Sequence, residues 1–209
     1  MKLEHTADGL VIHSALEYDL RSWWRTRGRE RAFRDELAAL ARIEAHESVL
    51  DVGCATGSLA LAAKRRAGDG RVHGVDPSPR MIAYARWKAA LTRRDVAFSV
   101  AVAQDLPFRD GAFDVVLNTL VLHQLPHDAL RAAIAEMRRV VRPGGRLFIA
   151  DIDPGDPDSP RDTPHSHGHF DVARIGAALE RLGLELVDGG RVEFELAAFE
   201  RIRYVLARV

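Results

Sequence analysis

The sequence predicts an α/β domain built on a doubly wound, mostly parallel sheet. Three observations carry this. From residue 48 onward, short apolar runs of strand length alternate with segments of helical period; the first of these runs enters a turn of small residues; and the 209 residues are 47% hydrophobic, enough for one sizeable core. A single domain over 1–209 follows, with a helical extension over 1–46 and the sheet core over 47–209.

Residues 14–43 read as helix, because Leu16, Leu20, Trp23 and Trp24, then Phe33, Leu37, Leu40 and Ile43, recur at near-helical spacing among charges. Gly28 divides the stretch into two helices. The period then changes: SVLDV is a strand, SLALAAKRRA a helix, RVHGV a strand, and Ser78 to Leu91 a helix. VAFSVAVA, FDVVLNTLVL and GRLFIAD follow as strands, with a helix over about 128–141 before the last. The chain closes with a helix over 171–182 and two strand-like runs, LELVDGGRVEFEL and RIRYVLARV. Their link is too short for a parallel crossover, so they pair antiparallel. Residues 154–169 hold four of the nine prolines and no helical period, which marks a loop.

Thirty Lys and Arg balance thirty Asp and Glu, which disfavours a protein living mainly on nucleic-acid phosphate. The arginine run from Arg21 to Arg34, interleaved with acids, reads as a solvated helix face. One cysteine rules out an intrachain disulfide and any Cys-rich zinc site, and no run approaches the ~20 apolar residues of a membrane span. A soluble, cytoplasmic protein is expected.

The strongest local signal is Val49-Leu50-Asp51-Val52-Gly53-Cys54-Ala55-Thr56-Gly57. Small residues after a strand let a ligand approach the backbone, and the following helix N-terminus offers unpaired N–H groups. A dinucleotide fingerprint would need glycine at 55 and Gly or Ala near 58, where Ala55 and Ser58 stand, and the phosphate-loop pattern is absent. Asp76 lies 23 residues after Gly53 at the end of RVHGV, where a carboxylate can accept from both hydroxyls of a ribose. Its bland alternative is a cap for the next helix. A glycine loop and a ribose acid without a phosphate cradle suggest a nucleoside that carries no phosphate.

Five blocks in order across 49–151 complete a pattern: D-x-G-x-x-x-G, Asp76-Pro77-Ser78 with Met81, Ala103-Gln104-Asp105-Leu106-Pro107-Phe108, Phe113-Asp114-Val115-Val116, and Arg142-Pro143-Gly144-Gly145. The set resembles the class I S-adenosylmethionine-dependent methyltransferases, in their type 11 group of quinone-biosynthesis and other small-molecule enzymes. The resemblance implies a Rossmann-like seven-stranded sheet in the order 3-2-1-4-5-7-6 with one antiparallel strand, under an N-terminal helical lid. It implies S-adenosyl-L-methionine as cofactor, S-adenosyl-L-homocysteine as product, and a small-molecule acceptor methylated on O, N or C.

Carried over by resemblance, Asp51 and the Gly53 backbone hold the methionine amino group, Asp76 binds the ribose, Met81 and Leu106 enclose the adenine, and Asp105 accepts from its exocyclic amine. Ala55, Gly57, Pro77, Gln104 and Asn118 complete the expected cofactor contacts, with Tyr18 reaching in from the lid. At Ala55 the chain departs from the family's usual middle glycine, which bears on affinity. Asn118-Thr119-Leu120-Val121 lacks the Asn/Asp-Pro-Pro-aromatic motif of nucleic-acid and protein N-methyltransferases.

His123, after FDVVLNTLVL, stands at the carboxyl rim of the sheet. It is the candidate general base, against a histidine merely packing at a strand end. His165, His167 and His169 share a loop crossing the same rim. A metal site built from them with Asp151 or Asp153 matches no recognised motif, so no metal is expected. The rival readings are a non-catalytic cofactor-binding or protein-partner module of the same fold, and, further off, an RNA methyltransferase.

Overall fold

The computed structural model describes residues 3–6, 9–12, 14–153, 172–194 and 201–209. His165, His167 and His169 lie outside them. Elements follow in chain order as a hairpin β1 (Leu3–Thr6) and β2 (Gly9–Ile12), helices α1 (Ala15–Arg25) and α2 (Glu30–Leu40), then β3 (Val49–Val52), α3 (Ser58–Ala67), β4 (Val72–Asp76), α4 (Pro79–Leu91) and β5 (Ala97–Val100). The second half runs β6 (Phe113–Thr119), a 3-10 turn at Leu122–Gln124, α5 (His127–Val140), β7 (Val141–Asp153), α6 (Val172–Arg181), β8 (Glu185–Arg191) and β9 (Arg201–Arg208).

Seven strands form one sheet in the order β5-β4-β3-β6-β7-β9-β8, and only β9 runs antiparallel to its neighbours. With the separate β1–β2 hairpin set aside, this is the expected order 3-2-1-4-5-7-6. The strand pleat sorts the core into two layers. Val115, Leu117, Phe148 and Ala150 join α2, α3 and α4 on one face, while Val116, Leu147 and Ile149 join α5 and α6 on the other. Burial on both faces is why these strands read as continuous apolar runs rather than alternating ones.

Several boundaries differ from the sequence reading. The hairpin over 3–12 was not anticipated. The strand VAFSVAVA stops at Val100, and FDVVLNTLVL stops at Thr119, since Leu120 takes φ +60° and turns the chain into the 3-10 helix. Leu122 is apolar because it is buried in the core, not because it is extended. β8 ends at Arg191, short of the run LELVDGGRVEFEL.

The extension is also not of one kind. Gly28, at φ +78°, separates the two helices as expected. Helix α2 buries Phe33, Leu37 and Ala38 in the core, and Phe33 packs at 5.2 Å against Phe194, so α2 belongs to the sheet domain. Helix α1 buries nothing, and the stripe of Leu16, Leu20, Trp23 and Trp24, expected to cover a surface, faces solvent.

Candidate active site

The site starts at the carboxyl end of β3. Gly53 takes φ +75° and Gly57 φ +77°, the left-handed region that glycine enters without cost. A Cβ on Gly53 would stand 2.4 Å from Val121 Cγ2, so this glycine is required by close approach as well. Ala55 takes φ +46°. The residue that departs from the family pattern therefore sits in a conformation that costs an L side chain roughly 1–2 kcal/mol. Ala55→Gly is expected to raise the unfolding free energy by ~1 kcal/mol, read as a higher midpoint in a denaturant titration, and Ala55→Val to lower it. Equal stability of all three would show the strain to be absent.

Asp76 closes the loop from below. Its Oδ2 accepts the Ala55 N–H at 2.9 Å and its Oδ1 the Ser78 N–H at 2.9 Å. The helix cap itself is Ser78, whose Oγ accepts the Met81 N–H at 3.4 Å, so Asp76 holds the turn before the helix rather than capping it. Asp76 also carries the glycine loop, because one carboxylate ties the end of β4 to the turn after β3.

Asp51 is 1% exposed, and its Oδ2 has no hydrogen-bond partner. Burial raises its pKa to about 7, against the pull of Arg34 and helped by the charge of Asp76. It lines a crevice of about 240 Å³, counted with its open mouth, together with Tyr18, Arg34, Gly53, Thr56 and Thr119.

Arg34 corrects the sequence reading directly: it is 6% exposed, not part of a solvated face. Burial works against its charge, but Tyr18, Glu30 and Asp51 more than compensate and hold the guanidinium ionised. Ser22 joins this group, donating to Glu30 at 2.9 Å. Nothing in the sequence distinguishes Arg34 from its neighbours except its place beside Phe33, one position along the buried face of α2.

A second polar group latches α1 to the loop. Thr56 Oγ1 donates to Asp19 Oδ1 at 2.5 Å, and Lys88 Nζ reaches Asp19 Oδ2 at 3.0 Å and Ser58 Oγ at 2.8 Å. Asp19, Thr56, Ser58 and Lys88 were not foreseen either, since their partners lie 30 or more residues away.

The other expected contacts do not line this crevice. Met81 and Leu106 are buried, and Asp105 is exposed, with its N–H on Val102 O at 3.3 Å. Gln104 and Pro77 are partly exposed. Asn118 is fully buried and donates from Nδ2 to Val52 O at 2.9 Å, which pins β6 to β3 behind the site. Cys54 packs beneath the loop, where burial pushes its thiol up and keeps it unreactive.

His123 lies in the 3-10 turn beyond β6. Its Nδ1 is 2.6 Å from Asp151 Oδ1, and its backbone N–H donates to Asp151 Oδ2 at 3.2 Å. Asp151 is fully buried at the end of β7 and also receives the Ile152 N–H at 2.7 Å. The carboxylate considered as a metal ligand is therefore committed to His123. Among the described residues no cluster suited to a metal ion occurs.

The methyltransferase domain family matches residues 49–145. A demethylmenaquinone methyltransferase of Thermus thermophilus is 38% identical over 140 residues, covering 67% of this chain and 63% of that protein. One from Lactiplantibacillus plantarum is 33% identical over 171 residues, covering 79% and 70%. The chain thus spans less than two thirds of the first of these relatives. Among solved structures, a SAM-dependent methyltransferase from Aquifex aeolicus superposes with TM-score 0.72 at 19% identity, over 92% of this chain and 95% of the other. The [4+2]-cyclase SpnF superposes with TM-score 0.73 at 23%, over 86% and 80%. Both likenesses speak for the fold alone. The relatives carry the family: with its glycine loop, strand order and these identities, the chain belongs to the class I S-adenosylmethionine-dependent methyltransferases, alongside the demethylmenaquinone methyltransferases.

Proposed function

We propose that this chain transfers a methyl group from S-adenosylmethionine to a small-molecule acceptor, and that the acceptor is a hydroxylated ring of the quinol class. The observation that carries the reading is the buried, unpaired Asp51 Oδ2 beside the Arg34 guanidinium at the mouth of a glycine loop. An anion and a cation side by side, cut off from water, complement the ammonium and carboxylate of an amino acid. The donor set thus fits the methionine end of the cofactor, with Asp51 for the ammonium and Arg34 for the carboxylate. Asp76, with Ala55 and Gly57, would hold the ribose side of the loop. Met81, Leu106, Asp105, Gln104 and Pro77 would form the adenine end, and Asn118 would support the loop from behind.

When bound, the cofactor supplies a methyl on a sulfonium, a group with an intrinsically good leaving sulfur. What the chain must add is placement and the removal of a proton from the acceptor. With Nδ1 held by Asp151, His123 takes that proton at Nε2, and the buried carboxylate stabilises the imidazolium that forms. Removing a hydroxyl proton from an aromatic ring makes its oxygen, and the ring carbon beside it, nucleophilic. Relatives that are ubiquinone/menaquinone biosynthesis C-methyltransferases, 34% identical to this chain, favour carbon.

Tyr18 and Asp19 project from α1 into this arrangement, so α1 serves as the lid. It must move for the crevice to take a whole cofactor, and its return excludes water. The test is turnover: radiolabelled methyl from S-adenosylmethionine should appear in a reduced short-chain naphthoquinol supplied to the purified chain. Cofactor binding without transfer to any quinol, catechol or amine acceptor would instead support the non-catalytic module.

A further inference from the structure

Three of the residues assigned to the adenine end, Gln104, Asp105 and Leu106, stand on the segment between β5 and β6, outside the strands of the sheet. A short bridge joins Val102 to Asp105, and Asp105 and Pro107 are exposed. Such a segment has no neighbouring strand to fix it. Its backbone groups must therefore find side chains or water.

Helix α5 supplies the side chains. Glu136 Oε2 accepts the Leu106 N–H at 2.9 Å, while Arg139 donates to Leu106 O at 3.0 Å and to Phe108 O at 2.8 Å. The two side chains stand one turn apart on the same helix face, and Arg139 also donates to both Glu136 oxygens, at 2.7 and 2.8 Å. One bidentate pair thus takes the N–H and the C=O of Leu106, as a neighbouring strand would. The Arg139 carbonyl receives the Gly111 N–H at 3.0 Å, which ties down the far end of the segment. The Leu106 side chain is 3% exposed, in the same core layer as Ala133, Ile134 and Met137 of α5. The Arg139 hydrogen bonds hold the Glu136 carboxyl below its ordinary pKa, so the pair stays charged at neutral pH.

We infer that Glu136 and Arg139 are positioning residues for recognition of the cofactor's adenine, acting through the Leu106 backbone on the carboxylate of Asp105. The inference rests on the reading of this segment as the adenine end. The Leu106 N–H belongs to the planar peptide unit that begins at the Asp105 Cα, so fixing its direction fixes the bond from which the Asp105 side chain departs. A pair one turn apart that served only its own helix would leave the Leu106 and Phe108 backbone groups to water. Here the same two side chains bind each other and the segment together, which is how a partly exposed loop can hold a carboxylate in one place.

The test separates discrimination from affinity. Calorimetry of the full chain with S-adenosyl-L-homocysteine and with S-inosyl-L-homocysteine, in which a carbonyl oxygen replaces the adenine amine, reads the Asp105 contact. The parent should prefer the adenosyl ligand by about tenfold or more, since a carboxylate accepts from an amine and repels an oxygen. Glu136→Gln turns one of two acceptors into a donor facing the Arg139 fork, and Arg139→Lys keeps the charge but cannot serve both carbonyls. Each should bring the preference to about threefold or less, through weaker binding of the adenosyl ligand alone. Combined with Asp105→Ala, neither change should move the ratio further. Equal losses for both ligands, with the ratio at its parental value, would make the pair merely structural and overturn the inference while the adenine reading stands. A parent that binds both ligands equally would remove that reading and the inference with it. Should Glu136→Gln fail to fold, the ratio in Arg139→Lys decides alone.

Discussion

If His123 is the base proposed above, His123→Ala is expected to slow methyl transfer by ~10² to 10⁴ with cofactor affinity unchanged, because it removes the proton acceptor and leaves the glycine loop untouched. The dyad makes a sharper variant available. Asp151→Asn keeps the shape of the side chain and one carbonyl oxygen for the His123 and Ile152 N–H groups, yet it no longer stabilises an imidazolium and can bind the wrong tautomer of the ring. Its loss should fall in kcat rather than KM and approach that of His123→Ala, and the double variant should be little worse than either single one. Independent, multiplicative losses would show that the pair does not act as a unit. A change confined to acceptor KM would make His123 a packing residue.

The second large effect is a pH dependence of cofactor affinity. In the empty site Asp51 is half protonated at about pH 7. A ligand ammonium takes the ionised form, so each pH unit below about 7 costs roughly tenfold in affinity, and binding should be more than tenfold weaker at pH 5.5 than at pH 7.5. Asp51→Asn should abolish this slope and weaken binding above pH 7 by ~1.5 to 3 kcal/mol, the worth of a charge-assisted hydrogen bond. The same group acts on stability in the opposite sense. Its folded pKa is raised above the unfolded value, so its stabilising contribution is fully present below about pH 4 and is lost as pH rises to about 7, a difference of up to ~4 kcal/mol. The empty Asp51→Asn protein should therefore melt above the parent at pH 8. Calorimetry across this range, with thermal melts of both proteins, measures the two effects together; a flat affinity profile in the parent would detach Asp51 from the ligand.

How far the sequence foretold this arrangement depends on where each interaction lies along the chain. The alternation of strands and helices, the glycine loop and the Asp76 position follow from local period and spacing, the strand order from the family resemblance, and all of them reappear in the structure. What stayed hidden is long-range. Arg34 looks like one more surface arginine until the fold sets it against Asp51, and the partners of Asp19 come from the glycine loop and α4. The run Leu120-Val121-Leu122 shows the limit of hydrophobicity as a signal, since Leu122 is buried but Leu120 takes a left-handed turn that ends the strand. The α1 stripe fails in the other direction: apolar spacing foretold a covered face where the fold leaves a bare one. His123 was placed at the right rim, but its partner Asp151 was weighed as a metal ligand, because spacing alone cannot say which of two nearby groups a carboxylate will face.

Gly53 has a consequence beyond its own turn. The methyl group it lacks would occupy the place of Val121, and Val121 opens the turn that carries His123. On the proposed reading, the spacing between the cofactor loop and the turn that carries the base thus depends on the close approach of the Val121 side chain to the Gly53 backbone. Such a contact works as a gauge block: insert one carbon and either β3 or the histidine turn must yield by about an ångström, a displacement that can cost ~10²-fold in rate. A side chain at position 53 is therefore expected to disturb the cofactor loop and the histidine turn together.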